Sequence, residues 1–318
     1  MGSGPDSVPR DPCNGLAVSF LLAQAESAWA FSEPSGPHPA NRMHVLSLVN
    51  QKGGCGKTTA AVNFAGALAA RGRRVLLVDL DPQAHATMAL GWAVQDEPVL
   101  LEVLRGKSGV DEAAVAVPGG MWLLPASDDL AEFEEESGRL LNPESALRRA
   151  LQTMSLEFDE VILDCPPRVD GVLAANALRA SDTAVLVVET GAFALQGAVK
   201  ALKILNKMRE ELEQPFEMRM LATLFDRRTR FARELLLAMH GRFGADMFDT
   251  VIRTSVRLRE AAGLGVPVQL LDPASRAVDD FAALATEWLG RESCAPTAAP
   301  LDIPEGVHLH STSNSWAP

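Results

Sequence analysis

The stretch Gln51–Thr59, QKGGCGKTT, constrains this chain more than any other. The apolar run His44–Asn50 (HVLSLVN) leads into it. Thr58–Arg71 follows with helical period: Ala61, Phe64, Ala65 and Leu68 fall on one face, and Gly72 is a stop. A glycine-rich turn between a buried strand and the start of a helix is the setting of a phosphate-binding loop. Gly53, Gly54 and Gly56 let the backbone fold tightly with its N–H groups pointing inward. Those donors and the positive helix N-terminus cradle an anion. Lys57 would set a point charge on the β- and γ-phosphates, and the Thr58 hydroxyl would ligate Mg²⁺. Lys52, Cys55 and Thr59 complete the loop residues expected around a nucleotide.

The rest of the chain agrees with that start. Arg74–Asp79, Met121–Pro125, Val161–Asp164, Thr183–Glu189 and Met220–Phe225 are further short runs rich in Val, Leu and Ile. Continuous apolarity without alternation suits strands buried on both faces. Ala192–Glu213, Arg228–Arg242 and Ala274–Leu289 read as helices between and after them. Strand and helix alternating over about 250 residues imply an α/β fold, a single doubly wound and mostly parallel sheet flanked by helices. The domain is expected at 43–290. Residues 1–42 read as a loosely ordered extension, with a hypothetical true start at Met43. Residues 291–318, with Pro296, Pro300, Pro304 and Pro318, read as a disordered tail. Cysteines at 13, 55, 165 and 294 have no short spacing, which argues against a disulfide framework or a structural zinc site. No apolar run reaches the roughly 18–20 residues that span a bilayer.

Two acidic segments stand where parallel strands end, facing the ligand crevice. One is Asp79-Leu80-Asp81-Pro82-Gln83 and the other is Val161-Ile162-Leu163-Asp164-Cys165-Pro166-Pro167. The loop itself departs from G-x-x-x-x-G-K-[ST], because Gln51 takes the first glycine position and an extra lysine stands at 52. K-G-G-x-G-K-T-T is the deviant Walker A motif, and with it the chain resembles the ParA/MinD family of P-loop ATPases over about 43–290. The resemblance implies ATP and Mg²⁺ as cofactors and phosphoryl transfer to water. It implies that Lys52 reaches the partner's phosphates in a nucleotide-sandwich dimer, and that Asp81 orients the attacking water. Asp164 would hold Mg²⁺ through water, with Asp79 a secondary candidate near the metal. The catalytic set is then Lys52, Lys57 and Asp81.

Phe193-Ala-Leu-Gln-Gly197, Leu224-Phe-Asp-Arg-Arg-Thr229 and Val251–Ala261 with Gly265-Val-Pro267 follow in ParA-like order. Two departures stand out. Ala84-His85-Ala86-Thr87 replaces a common Gly-Asn-Ala-Thr, and Arg253 stands where the family commonly has Pro near the adenine. Other branches fit less well. Residues 291–318 carry only Arg291 as a basic residue, which does not suit the membrane-binding helix of MinD-like members. The chain has no Tyr, against a bacterial tyrosine kinase. Cys165 reads as a small buried residue rather than a cluster ligand, and Cys55 as a tolerated loop position rather than a redox switch. Residues 1–43 are too short and too rich in Pro and Gly for an operator-reading helix-turn-helix.

The net charge of −12 speaks on its face against a nucleic-acid partner. Resolved along the chain it does not. Residues 96–160 hold 15 acids against 5 bases, whereas 219–259 hold nine Arg against four acids. Arg228 and Arg257 fall on family positions linked to DNA binding, with Arg227, Arg230 and Arg259 beside them. Arginine forks suit phosphate; the bland alternative is that they pair with local acids. The resemblance therefore implies an ATP-dependent dimer that binds DNA non-specifically, partitions a plasmid or chromosome, and is stimulated by a ParB-like partner. It would be cytoplasmic, nucleoid-associated and not membrane-bound. Two other readings stay open: positioning of a protein cargo such as chemoreceptor arrays or microcompartments, and a metabolic ATP-dependent synthetase on the same fold.

Overall fold

The computed structural model describes residues 43–93, 99–191, 194–212 and 215–291. The extension at 1–42 and the tail beyond Arg291 lie outside them, as does Phe193 of the ParA-like segment.

The chain runs β1 (His44–Val49), α1 (Lys57–Ala69), β2 (Val75–Asp79), α2 (His85–Ala89), α3 (Leu100–Leu104), α4 (Val110–Ala113), β3 (Val115–Val117), β4 (Met121–Leu124), α5 (Leu130–Glu136), α6 (Ala146–Thr153), β5 (Glu160–Asp164), α7 (Val172–Ala180), β6 (Thr183–Glu189), α8 (Ala194–Glu210), β7 (Glu217–Phe225), α9 (Arg230–Phe243), β8 (Met247–Arg253), α10 (Val256–Gly263), α11 (Val268–Leu271) and α12 (Arg276–Arg291). The strands form one sheet in the order β3-β4-β2-β5-β1-β6-β7-β8. Every pairing is parallel except β3 with β4. The expected α/β architecture is therefore observed.

Period-two alternation splits the strands between two cores. Val45 and Val49 of β1 face one side, with Leu76, Val78, Val161, Leu163, Leu186 and Val188. Leu46 and Leu48 face the other, with Leu77, Ile162, Val185, Val187 and Leu221. Helices cover both faces, which is why the central strands read as unbroken apolar runs. On the second face α1 packs Ala61, Phe64, Ala65 and Leu68 inward, the four residues its sequence period assigns there. The helix α12 lies over it with Phe281, Leu284, Ala285 and Trp288 buried. Trp288 meets the rings of His44 and Phe64 edge-on.

β1 sits between β5 and β6, and the chain leaves β1 towards β2 on one side but leaves β6 towards β7 on the other. Ligands of open α/β sheets bind in the crevice that such a reversal opens. The strand ends at Val49, Asp79, Asp164 and Glu189 surround that crevice.

Candidate active site

The loop after β1 is tied down from below. Asn50 is buried, and its amide donates to the Val187 carbonyl on β6 at 2.5 Å while its own Oδ1 accepts the Lys52 N–H at 3.0 Å. Thr223 of β7 donates its hydroxyl to the Cys55 carbonyl at 2.6 Å. Gly54 and Gly56 have φ of 75° and 89°, a left-handed backbone that a side chain would strain. Gly56 caps α1 and has no side chain to accept from the first-turn N–H groups of that helix. Those donors are left for an anion, as the sequence pattern requires.

The loop forms one wall of an open cleft of about 640 Å³. Gly53, Gly54, Gly56, Lys57, Thr58 and Thr59 line it, and Asp81 faces them from the end of β2. Sequence reasoning thus brings seven of its site residues to one cavity. It did not assign Gln83, His85, Met88, Leu224, Leu258 and Val266, which also line the cleft. Asn50 and Thr223, which hold the loop, also carried no local signal.

Four other expected residues stand beside or beneath the cleft. Cys55 is fully buried, and burial pushes its thiol upward against the pull of the Lys57 charge. That state is the reverse of an activated thiol. Lys52 turns to Glu189 and pairs with its carboxylate. Asp79 and Asp164 are buried in register on β2 and β5.

These two aspartates differ in their company. Asp79 accepts from the Thr87 N–H and hydroxyl, both at 2.8 Å, and from the Asp81 N–H at 3.2 Å. Burial pushes its pKa to about 6 against those hydrogen bonds. Asp164 has no hydrogen-bond partner of ordinary geometry on either buried oxygen. Burial first, and then the Asp79 charge, raise it well above the usual carboxylate range, while nearby Thr58 and Lys57 pull the other way. A buried carboxylate left without partners beside a Thr hydroxyl and a phosphate loop is suited to a divalent cation. Among the described residues no group of three or more His, Cys, Asp or Glu could hold a metal alone. The remaining ligands would have to be phosphate and water, the usual company of Mg²⁺.

Arg253 donates to Asp280 of α12 and to the Arg276 carbonyl, and does not line the cleft. The arginines of interest flank the cleft-lining residues Leu224 and Leu258. Thr254 N–H donates to the Phe225 carbonyl at 3.1 Å, which joins the ends of β7 and β8 and their two groups of arginines. All five are exposed. Arg228 pairs with Asp226, Arg230 with Glu234, and Arg257 with Glu260 and Asp272. Arg227 and Arg259 have no acidic partner among the described residues.

Comparison with known proteins agrees with this geometry. A family model described as an AAA domain matches residues 43–218. The chromosome partitioning protein ParA of Caulobacter vibrioides is 36% identical over 258 residues, covering 80% of this chain and 96% of that one. The chromosome-partitioning ATPase Soj of Thermus thermophilus is 38% identical over 247 residues, covering 77% and 95%. This chain belongs to the ParA/Soj family of ATPases. A solved structure titled cobyrinic acid a,c-diamide synthase, from Mycobacterium smegmatis with bound ADP and magnesium, is also similar. It is 32% identical with a TM-score of 0.70, covering 80% of this chain and 96% of that one.

Proposed function

We propose that this ParA-family ATPase partitions DNA: ATP joins two copies, the dimer holds DNA without sequence preference, and a ParB-like partner triggers hydrolysis. ATP with magnesium is its ligand pair. The observation that carries the reading is the convergence of the phosphate loop, Asp81 and the unpartnered Asp164 at the end of one parallel sheet.

The residues divide the work. The loop N–H groups, Lys57 and, from the partner, Lys52 offset charge on the phosphates. Thr58 and Asp164 would hold magnesium, which would supply positive charge against the charge developing on the phosphates. Asp81, held by accepting the Gln83 N–H at 3.0 Å, orients the attacking water. Asp79 serves the site by fixing Thr87 and the Asp81 backbone. Positioning and charge neutralisation carry such a reaction, and no covalent intermediate with the protein is needed. Arg227, Arg228, Arg230, Arg257 and Arg259 form the DNA face. A cytoplasmic, nucleoid-associated location follows from that role. No helix among the described residues is long and apolar enough to cross a membrane.

The test is whether ATP, and not ADP, makes the protein dimerise and bind DNA of arbitrary sequence. Hydrolysis whose rate per molecule is independent of concentration across the dimerisation range would count against it. A second reading rests on the likeness to the diamide synthase. ATP hydrolysis that needs no small-molecule co-substrate and rises with DNA excludes that reading.

A further inference from the structure

The ion pair between Lys52 and Glu189 stands apart from the cleft, since neither residue lines it. Glu189 is the last residue of β6, and its side chain is 19% exposed against 46% for Lys52. Three independent features aim its carboxylate at the loop. Thr190, the next residue, is fixed to β7 by its N–H to the Thr223 carbonyl at 3.1 Å and its hydroxyl to the Leu224 carbonyl at 3.2 Å. Gly191 leaves space for the carboxylate, because a Cβ there would lie 2.9 Å from Glu189 Oε1. Asn50 joins the loop to β6 through Val187 and Lys52 N–H, so the backbone of Lys52 lies beside the strand that carries Glu189.

The two lysines of the loop are therefore in different states. Lys57 is 7% exposed, and its ammonium contacts the Lys52 carbonyl at 3.5 Å, within the loop it serves. Lys52 is half exposed and neutralised by a carboxylate of its own subunit. A lysine is a compact charge on a flexible stem, so it can exchange one anion for another without a backbone change.

We propose that Glu189 is a positioning residue that holds Lys52 in cis. Lys52 leaves Glu189 only when a partner subunit's nucleotide offers it phosphates. This rests on the reading that Lys52 acts across the dimer. The pair then opposes dimerisation in proportion to its own strength. A carboxylate with a single charge loses Lys52 to a triphosphate, which is more highly charged, but does not lose it to bare solvent. Glu189 thus keeps the lysine withdrawn in the monomer and sets a threshold on assembly. The pair is partly solvated, so the threshold is modest. Removing it should tighten the ATP-bound dimer about two- to fivefold.

The experiment measures self-association of the full chain by sedimentation with a non-hydrolysable ATP analogue and with ADP. The variants are Glu189→Gln, Gly191→Ala, Lys52→Ala and the double variant Glu189→Gln with Lys52→Ala. Gly191→Ala displaces the carboxylate without removing it. Thermal unfolding of each variant reports on folding. The expected result is a tighter dimer for Glu189→Gln and Gly191→Ala with the analogue, no dimer with ADP, and no effect of Glu189→Gln once Lys52 is alanine. Unchanged dimerisation in Glu189→Gln while Lys52→Ala weakens it would overturn the proposal and leave the trans lysine standing. An effect of Glu189→Gln that persists without Lys52 would overturn it as well. Dimerisation indifferent to Lys52→Ala would overturn both the proposal and the reading beneath it.

Discussion

Asp79 and Asp164 stand in register on adjacent parallel strands, yet one carboxylate accepts three hydrogen bonds and the other accepts none of ordinary geometry. Both are fully buried. Two like charges side by side in an apolar sheet are costly unless each is compensated. Thr87 and the Asp81 N–H compensate Asp79 permanently. Thr58 and Lys57 favour the Asp164 charge but leave its carboxyl well above the ordinary range, so a cation would complete its compensation. On the proposed reading, two neighbouring strand ends hold one aspartate that builds the site and one that would take its cation.

From this, Asp164→Asn should separate stability from function. The amide removes a buried carboxyl whose charge is disfavoured in the nucleotide-free protein by burial and by Asp79. Its unfolding free energy should rise by about 1–3 kcal/mol, the order of an unmet buried polar group. Magnesium-dependent ATP hydrolysis should fall at least about a hundredfold, the order of losing one electrostatic stabiliser of the transition state. Urea denaturation without nucleotide and a steady-state phosphate assay check the two arms. A variant less stable than wild type would show that Asp164 is already compensated.

Thr87→Val tests the other aspartate. The substitution keeps shape and removes the hydroxyl that donates to Asp79 at 2.8 Å and accepts the Ala126 N–H at 3.1 Å. Two buried groups lose a partner, so the variant should lose about 1–3 kcal/mol in denaturant unfolding. Because the Thr87 N–H still binds Asp79, the fold should persist. The turn carrying Asp81 should loosen, lowering kcat more than it raises the KM for ATP.

How much of this was legible beforehand follows from the kind of physics involved. The loop was readable because glycines, lysines and helix start act locally, within nine consecutive residues. β6 was readable at both ends because it is buried on both faces. β8 was not recognised as a strand: Met247–Arg253 is an edge with irregular register against β7, and its MFDTVIR lacks a continuous apolar run. The antiparallel edge strand β3 escaped because it is only three residues long. The helix α7 had a usable signal, Leu173, Ala174, Ala177 and Leu178 on one face after Gly171. The partners Thr87, Glu189 and Thr223 lay beyond local pattern. Each acts across strands, and single-residue propensity holds no trace of that.

Gly265→Ala should be destabilising out of proportion to one methyl group. Gly265 has φ of 72°, and a Cβ there would lie 2.6 Å from the Gly91 Cα. The added Cβ meets backbone atoms, so no rotamer relieves the clash. A cost of about 1–3 kcal/mol is expected from the strained conformation alone. Gly91 ends the segment that carries His85 and Met88 into the cleft, and Gly265 follows α10. Forcing them apart should also weaken ATP binding, measured with a fluorescent analogue. Full stability with intact affinity would show that the two loops separate freely.

Arg257 decides whether the arginines at the ends of β7 and β8 are a DNA face or a set of local ion pairs. Its guanidinium contacts Glu260 at 2.7 Å and Asp272 at 3.1 Å, and the side chain is still 54% exposed. Surface pairs of this kind are weak, and a fork of five donors can take a phosphate while keeping one carboxylate. If about four to six phosphates are neutralised per dimer, log K should fall against log salt with a slope of about −4 to −5. Arg257→Glu places a third carboxylate beside Glu260 and Asp272, and should abolish ATP-dependent binding to arbitrary duplex DNA. Nucleotide affinity should stay intact, because the Arg257 side chain does not line the cleft. Filter binding across a salt series, with a fluorescent nucleotide titration beside it, measures both. DNA affinity equal to wild type would place the interface elsewhere and leave these arginines as partners of their neighbouring acids.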